Sequence, residues 1–183
     1  MFSLLPWQCD HASRIELSLR KSRVAMDTSK TGRGKSYVAA EMARRLGLIP
    51  VVFTRKSVVP AWESVLLSAG LPANVTNYEK AIRGVNFPPY ANIEREVVPA
   101  KYAGRKSTQV IRVRPGDAAA GRLLLVFDEV QACKGEDTQA TRLLLAAAGT
   151  TEHLLLLSAT AIESPEDMHG IGVALGLFRS RDF

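Results

Sequence analysis

The sequence predicts an α/β fold built on a mostly parallel sheet, and three observations carry that reading. Short apolar runs alternate along the chain with stretches of helical spacing. The runs Val51-Val52-Phe53, Leu123-Leu124-Leu125-Val126-Phe127 and Leu154-Leu155-Leu156-Leu157 are apolar at every position, not at every second one. Strands of that kind are covered on both faces, which is how a parallel sheet sits between two helical layers. The length, 183 residues, fits one domain of ordinary size.

The elements follow in order. Trp7 to Lys21 reads as an amphipathic helix, with Ala12, Ile15 and Leu19 on one face. Arg23 to Asp27 is a short apolar strand ending in a turn. Lys35 to Leu46 has helical spacing through Val38, Met42 and Leu46, and Gly47 is its stop. Val51 to Phe53 is a buried strand, and Val58 to Leu67 returns to a helix that Gly70 and Pro72 end. Val75-Thr76 is a further short strand. Leu123 to Phe127 is the clearest strand, since it is wholly apolar and stops at acidic residues. Thr138 to Ala148 is a helix closed by Gly149, and Leu154 to Leu157 a strand ending at Ser158. A last helix is predicted to start near Ser164-Pro165-Glu166, a cap, a first-turn proline and an acidic first turn.

The segment 84–121 breaks this rhythm. It is rich in proline and in basic residues, including Arg95, Lys101, Arg105, Lys106, Arg112 and Arg114. Alternation over Gln109 to Val113 predicts one hairpin strand within a basic insertion at the sheet's edge.

Composition bounds the function classes. Hydrophobic residues make 46% of the chain and charged residues 23%, a globular balance that excludes a disordered protein. No apolar run approaches the roughly 20 residues of a membrane span, so no membrane partner is expected. The opening Met1-Phe2-Ser3-Leu4-Leu5-Pro6 lacks a basic leader. Two cysteines, Cys9 and Cys133, without a CxxC pair, read as reduced thiols of an intracellular protein. A formal net charge of +6 permits a polyanionic partner.

Thr31-Gly32-Arg33-Gly34-Lys35-Ser36 lies between a predicted strand and a predicted helix, the context that gives a Gly-Lys-Ser match its meaning. Glycines let backbone N–H groups turn inward around phosphate oxygens. The helix that starts at Lys35 points its positive end at the anion. Lys35 is placed to reach the β- and γ-phosphates, and the Ser36 hydroxyl to ligate Mg²⁺. The strict phosphate-loop pattern asks for glycine at position 29, where this chain has Ser29. A second carboxylate is needed from a neighbouring strand, and Asp128-Glu129 at the end of the Leu123 run supplies it. Asp128 would hold the metal and Glu129 would polarise the attacking water.

Together these pieces resemble the first RecA-like domain of superfamily-two helicases and translocases. Lys30 to Ser36 is similar to that family's first motif, which tolerates loss of the leading glycine. Asp128-Glu129-Val130-Gln131 resembles its DExx box, and Ser158-Ala159-Thr160 its Ser-Ala-Thr motif. Leu5-Pro6-Trp7-Gln8 resembles the upstream element whose glutamine recognises adenine. Val52 to Glu63 is similar to motif Ia of the Swi/Snf-type branch, and Thr76-Asn77-Tyr78-Glu79 to the stretch that follows it there.

The resemblance implies an ATP-hydrolysing, RecA-like phosphate-loop domain over 1–183, acting with ATP and Mg²⁺. Gln8 would select ATP, and Thr31, Gly32, Arg33, Gly34, Lys35 and Ser36 would hold it. Gln131 stands where the Swi/Snf branch usually has histidine, and would bridge the γ-phosphate toward Ser158 and Thr160, which couple nucleotide state to the nucleic-acid track. Thr54, Arg55, Lys56 and Ser57 would contact nucleic-acid phosphates, with DNA favoured over RNA. The family's active site lies between two RecA-like domains, so a second one, in cis or in trans, is expected to supply an arginine finger. The residues also leave open a nucleotide-dependent scaffold that never translocates. His11, His153 and His169 show no partner at ligand spacing, and Trp7 and Trp62 read as packing residues at helix starts.

Overall fold

A computed structural model describes residues 2–83, 91–98, 108–116, 123–135, 138–150, 152–160 and 169–177. The described elements are α1 (Pro6–Ser22), β1 (Val24–Asp27), α2 (Lys35–Leu46), β2 (Ile49–Thr54), α3 (Val59–Ser68), β3 (Val75–Asn77), α4 (Tyr78–Ile82), β4 (Ala91–Val98), β5 (Thr108–Pro115), β6 (Leu123–Asp128), α5 (Gln139–Ala148), β7 (His153–Leu157) and α6 (His169–Ala174). Five strands form one parallel sheet in the order β1-β7-β6-β2-β3.

The fully apolar strands are buried on both sides, as their composition requires. Side chains alternate across the sheet. Val52, Leu124, Val126, Leu155 and Leu157 face a core shared with α1, α2 and α3. Val51, Phe53, Leu123, Leu125, Phe127, Leu154 and Leu156 face a second core closed by α4, α5 and α6. Phe53 and Phe127, register partners on neighbouring strands, stack there with ring centroids 4.6 Å apart.

Helix boundaries follow local chemistry. α1 starts with Pro6 in its first turn, and the Gln8 side chain accepts the Leu5 N–H at 2.8 Å. Its buried residues Gln8, Ala12, Ile15 and Leu19 recur at helical spacing. α2 covers the expected span and ends at Gly47, whose φ of 61° favours glycine. α5 is capped by Thr138, which accepts the Thr141 N–H.

The insertion differs from expectation. β4 and β5 form a separate antiparallel pair and extend neither edge of the five-stranded sheet. Ala91, Ile93, Ile111 and Val113 point into the core that α5 closes, while Arg112 and Arg114 are exposed. The alternation in the sequence is that of a half-buried antiparallel ribbon, which suits a lid over a core better than an added edge strand. Arg114 pairs with Glu94 at 3.2 Å. Lys101, Arg105 and Lys106, and the helix start expected near Ser164, lie outside the described residues.

This topology sets up the site. Along the carboxyl ends of the strands, register places Asp27 beside Leu157, Leu157 beside Asp128, and Thr54 beside Asn77. Apolar strands thus end in a polar row, on the side where open parallel sheets bind ligands.

Candidate functional site

The loop after β1 is shaped by its backbone. Gly32 and Gly34 adopt φ values of 78° and 72°, a region that a side chain makes costly. A Cβ on Gly34 would also strike the Gln8 amide. Ser29 is not among the residues with positive φ, so its position does not demand glycine. Its N–H donates to Asp27 Oδ1 at 2.9 Å. Its carbonyl accepts from Lys35 Nζ at 2.6 Å, and the same amine reaches the Lys30 carbonyl at 3.2 Å. Gln8 is buried, and its Nε2 donates to the Arg33 carbonyl at 3.2 Å. Trp7 is half-exposed, and its ring lies 5.4 Å from the Arg33 guanidinium carbon. Trp7 therefore touches the loop and is not only a packing residue.

The tip of β6 is held by side chains from elsewhere. Asp128 Oδ2 accepts from Thr54 Oγ1 at 2.8 Å and from Trp62 Nε1 at 2.7 Å. The Asp128 carbonyl accepts from the Tyr78 hydroxyl at 2.9 Å. Burial pushes the Tyr78 phenol well above its usual range, with the Cys133 and Asp128 charges adding to it, so it stays a donor. Burial likewise pushes the neighbouring Cys133 thiol up to about 12, which keeps it unreactive. Glu129 has φ 54°, a left-handed turn for a non-glycine residue that re-aims the chain just past the strand.

The Ser-Ala-Thr stretch joins this tip. Ser158 Oγ lies 2.8 Å from Gln131 Oε1 and 2.8 Å from the Thr160 carbonyl. One hydroxyl proton serves two acceptors, so Ser158 donates to them alternately. Gln131 Nε2 donates to Glu129 Oε2. A polar relay therefore runs from Glu129 through Gln131 to Ser158 and Thr160.

Loop, tip and Ser-Ala-Thr stretch meet at one cavity of about 550 Å³. Thr31, Gly32, Gly34, Lys35 and Ser36 line it from one side and Asp128 and Glu129 from another, with Ala159, Tyr37 and part of α3, Trp62 included, on the remaining wall. Three adjacent strands, β1, β7 and β6, deliver these three motifs. The Ser36 hydroxyl and the Asp128 carboxylate supply hard oxygen donors to one space, a set that fits Mg²⁺.

The basic turn after β2 needs one correction. Thr54 was expected to donate to a nucleic-acid phosphate, but it is fully buried and its hydroxyl is committed to Asp128. Strand register explains this: Phe53 pairs with Phe127, which sets the next residue of β2 beside the next residue of β6. Arg55, Lys56 and Ser57 are exposed. Thr54, Arg55 and Lys56 border a second hollow of about 170 Å³ shared with Asn77, Tyr78 and Glu79.

Sequence reasoning missed Trp62 and Tyr78 as supports of Asp128, and it gave His11 no partner. The His11 Nε2 lies 2.9 Å from Asp27 Oδ2. A tryptophan eight residues after a strand end, and a tyrosine right after the next strand, were the available signals.

Sheet order and the polar carboxyl ends of the strands define the fold class, a RecA-like α/β domain. Comparison with solved structures agrees. The Sulfolobus solfataricus SWI2/SNF2 ATPase core in complex with dsDNA matches 94% of this chain with a TM-score of 0.61 at 16% identity, over 35% of that chain. Among curated proteins, the "Putative ATP-dependent RNA helicase" of Acanthamoeba polyphaga mimivirus is 30% identical over 178 residues, 90% of this chain. The chain spans 32% of that relative's length. No family model matches. The fold is therefore RecA-like, similar to the SWI2/SNF2 ATPase core, and the sequence is similar to part of the viral helicase. Among the described residues no helix is long and apolar enough to cross a membrane.

Proposed function

We propose that this chain is the ATP-binding lobe of an intracellular superfamily-two DNA translocase or helicase, hydrolysing ATP to drive its grip on nucleic acid. The observation that carries this reading is the convergence of loop, acidic tip and Ser-Ala-Thr stretch on one cavity. Lys35 and the loop N–H groups hold the phosphates, and Ser36 and Asp128 hold Mg²⁺, which neutralises charge on the phosphoryl group. Glu129 orients the attacking water. Gln131 passes the state of the γ-phosphate to Ser158 and Thr160 along the hydrogen-bonded relay. Gln8 lies against the loop and is placed to select adenine.

Arg55, Lys56 and Ser57 hold the nucleic-acid backbone, one residue from the Thr54 that supports Asp128. Such contacts fix position and carry little sequence information. DNA is favoured over RNA by the Swi/Snf-like Trp-Glu pair, Trp62-Glu63, after the basic turn, and by the SWI2/SNF2 likeness in fold. A second RecA-like domain, in cis or in trans, supplies the arginine finger. An arginine finger is worth about 10³–10⁵ in rate, so the 183-residue chain binds ATP and turns it over slowly.

The test is ATPase activity with and without the partner domain, in the presence of duplex DNA, single-stranded DNA or RNA. Stimulation by DNA, and only with the partner domain, is expected. Full helicase-type turnover by this chain alone would remove the second-domain requirement. Stimulation by RNA but not DNA would reverse the substrate assignment.

A further inference from the structure

α1 touches the phosphate loop at both of its stems. At the far stem, Gln8 Nε2 donates to the Arg33 carbonyl at 3.2 Å, and the Trp7 ring lies 5.4 Å from the Arg33 guanidinium carbon. At the near stem, His11 Nε2 stands 2.9 Å from Oδ2 of Asp27, the last residue of β1. Trp7, Gln8 and His11 fall on one face of the helix, because positions three and four apart are neighbours there.

Asp27 is 1% exposed. A carboxylate removed from water needs a donor for each oxygen. Oδ1 has the Ser29 N–H at 2.9 Å. Oδ2 stands 2.9 Å from His11 Nε2, an ion-pair contact outside hydrogen-bond geometry, and neither atom has a hydrogen-bond partner among the described residues. The contacts then run in series. His11 faces Asp27, Asp27 accepts from Ser29, and the Ser29 carbonyl accepts from Lys35 Nζ at 2.6 Å. The imidazole is thus linked to the phosphate-binding lysine through two intermediate residues and touches no phosphate position itself.

We propose that His11 is a positioning residue of the nucleotide site. With Asp27 it locks the near stem of the phosphate loop, as Gln8 and Trp7 lock the far stem. One rigid helix thereby fixes the spacing between the adenine-side glutamine and the phosphate-side lysine. This inference rests on the phosphate-loop reading above.

The test is binding of MgADP to the full chain by isothermal titration, so that no partner domain is needed. Wild type is expected to bind and Lys35→Ala to bind about a hundredfold more weakly; a wild-type chain that fails to bind overturns the phosphate-loop reading and this inference with it. Given wild-type binding, His11→Ala is expected to weaken MgADP about tenfold, the scale of leaving one buried carboxylate oxygen without its partner. His11→Gln, which keeps an N–H donor at similar reach, should recover most of that loss. Hydrogen exchange adds an independent readout. The Ser29 amide should exchange faster in His11→Ala while the amides of β6 and β7 stay protected. Wild-type affinity in His11→Ala overturns the positioning role. So does a loss that His11→Gln does not recover, or faster exchange spread over the whole sheet, since either marks a merely structural histidine.

Discussion

The phosphate loop and the tip of β6 face each other across one cavity, yet they are held by different means. The loop takes its shape from its own backbone. Gly32 and Gly34 make the turns, and Lys35 folds back on the Ser29 and Lys30 carbonyls. α1 braces it from outside through Gln8, Trp7 and His11. The tip takes its shape from side chains that arrive from β2, α3 and α4, namely Thr54, Trp62 and Tyr78. A self-shaped loop can close on an anion without moving the sheet. A tip held by its neighbours reports any movement of the elements that carry those neighbours. Since Thr54 sits next to Arg55 and Lys56, a shift of the basic turn reaches the Asp128 carboxylate through one side chain.

The comparison breaks most sharply at Lys35. Lys35→Ala removes the cation from the loop and should weaken MgATP about a hundredfold, on the scale of two charge-assisted hydrogen bonds. The melting temperature should barely move, since the amine contacts only loop carbonyls. Unchanged nucleotide binding in a titration would end the phosphate-loop assignment.

The tip is tested by Thr54→Val and Trp62→Phe, which delete one donor each and keep most of the packing. A hydrogen bond to a charged group is worth about 1.5–3 kcal/mol, and both variants should show it as lost stability and as a raised Mg²⁺ requirement. Because both donors reach the same oxygen, the double variant should cost less or more than the sum, by about 0.5 kcal/mol or above. Strict additivity in denaturant melts would show that the two do not act on one carboxylate. Loop variants should leave the Mg²⁺ requirement alone, which separates the two regions.

A smaller effect falls at Gly34. Alanine there meets a left-handed φ, worth about 1–2 kcal/mol, and pushes on the Gln8 amide. In a Gln8→Ala background the steric part vanishes and only the backbone part remains. Thermal melts of the single and double variants should therefore differ. Equal costs in both backgrounds would mean that Gln8 does not press on the loop.

The same contrast explains what the sequence makes legible. The loop is contiguous, so Gly32 to Ser36 and the helix up to Leu46 are read directly, with Gly47 as the stop. Asp128 and Glu129 are legible as the acidic end of an apolar strand. Their supports are not, because Thr54, Trp62 and Tyr78 lie 74, 66 and 50 residues away and meet Asp128 only through the sheet register. Thr54 in particular carries a hydroxyl beside two basic residues, a composition that points outward, and only its pairing in β2 turns it inward. His11 was invisible for the same reason, since Asp27 is sixteen residues on and joined to it by a helix-to-strand return. The insertion was half legible: Ile111 and Val113 alternate cleanly with charged neighbours, but that pattern does not say which core the ribbon covers.

The smallest expected effect concerns the outer brace of the loop alone. Glu16 of α1 is bonded to Arg20, and Arg45 of α2 reaches both Glu16 at 3.1 Å and Glu41 at 2.9 Å. The Arg20 and Arg45 guanidiniums hold the Glu16 carboxyl below its usual range. For Glu41, burial pulls upward, but hydrogen bonds from Arg44 and Arg45 outweigh it, and the net direction is down. A carboxyl that binds its proton less readily when folded adds stability above its unfolded value of 4.5. That increment disappears as pH falls through 4.5 toward the folded value, where both states become protonated. Arg45→Ala should therefore cost less than about 1 kcal/mol at neutral pH, because the pairs are largely exposed and screened. The deficit should shrink as the pH drops below 4.5, and also in high salt. Since α1 carries the side chains that brace the loop while Thr54, Trp62 and Tyr78 hold the tip, the variant should raise the exchange rate of loop amides and leave the Asp128 tip protected. Hydrogen exchange that rises equally at both regions would show that loop and tip are braced as one unit.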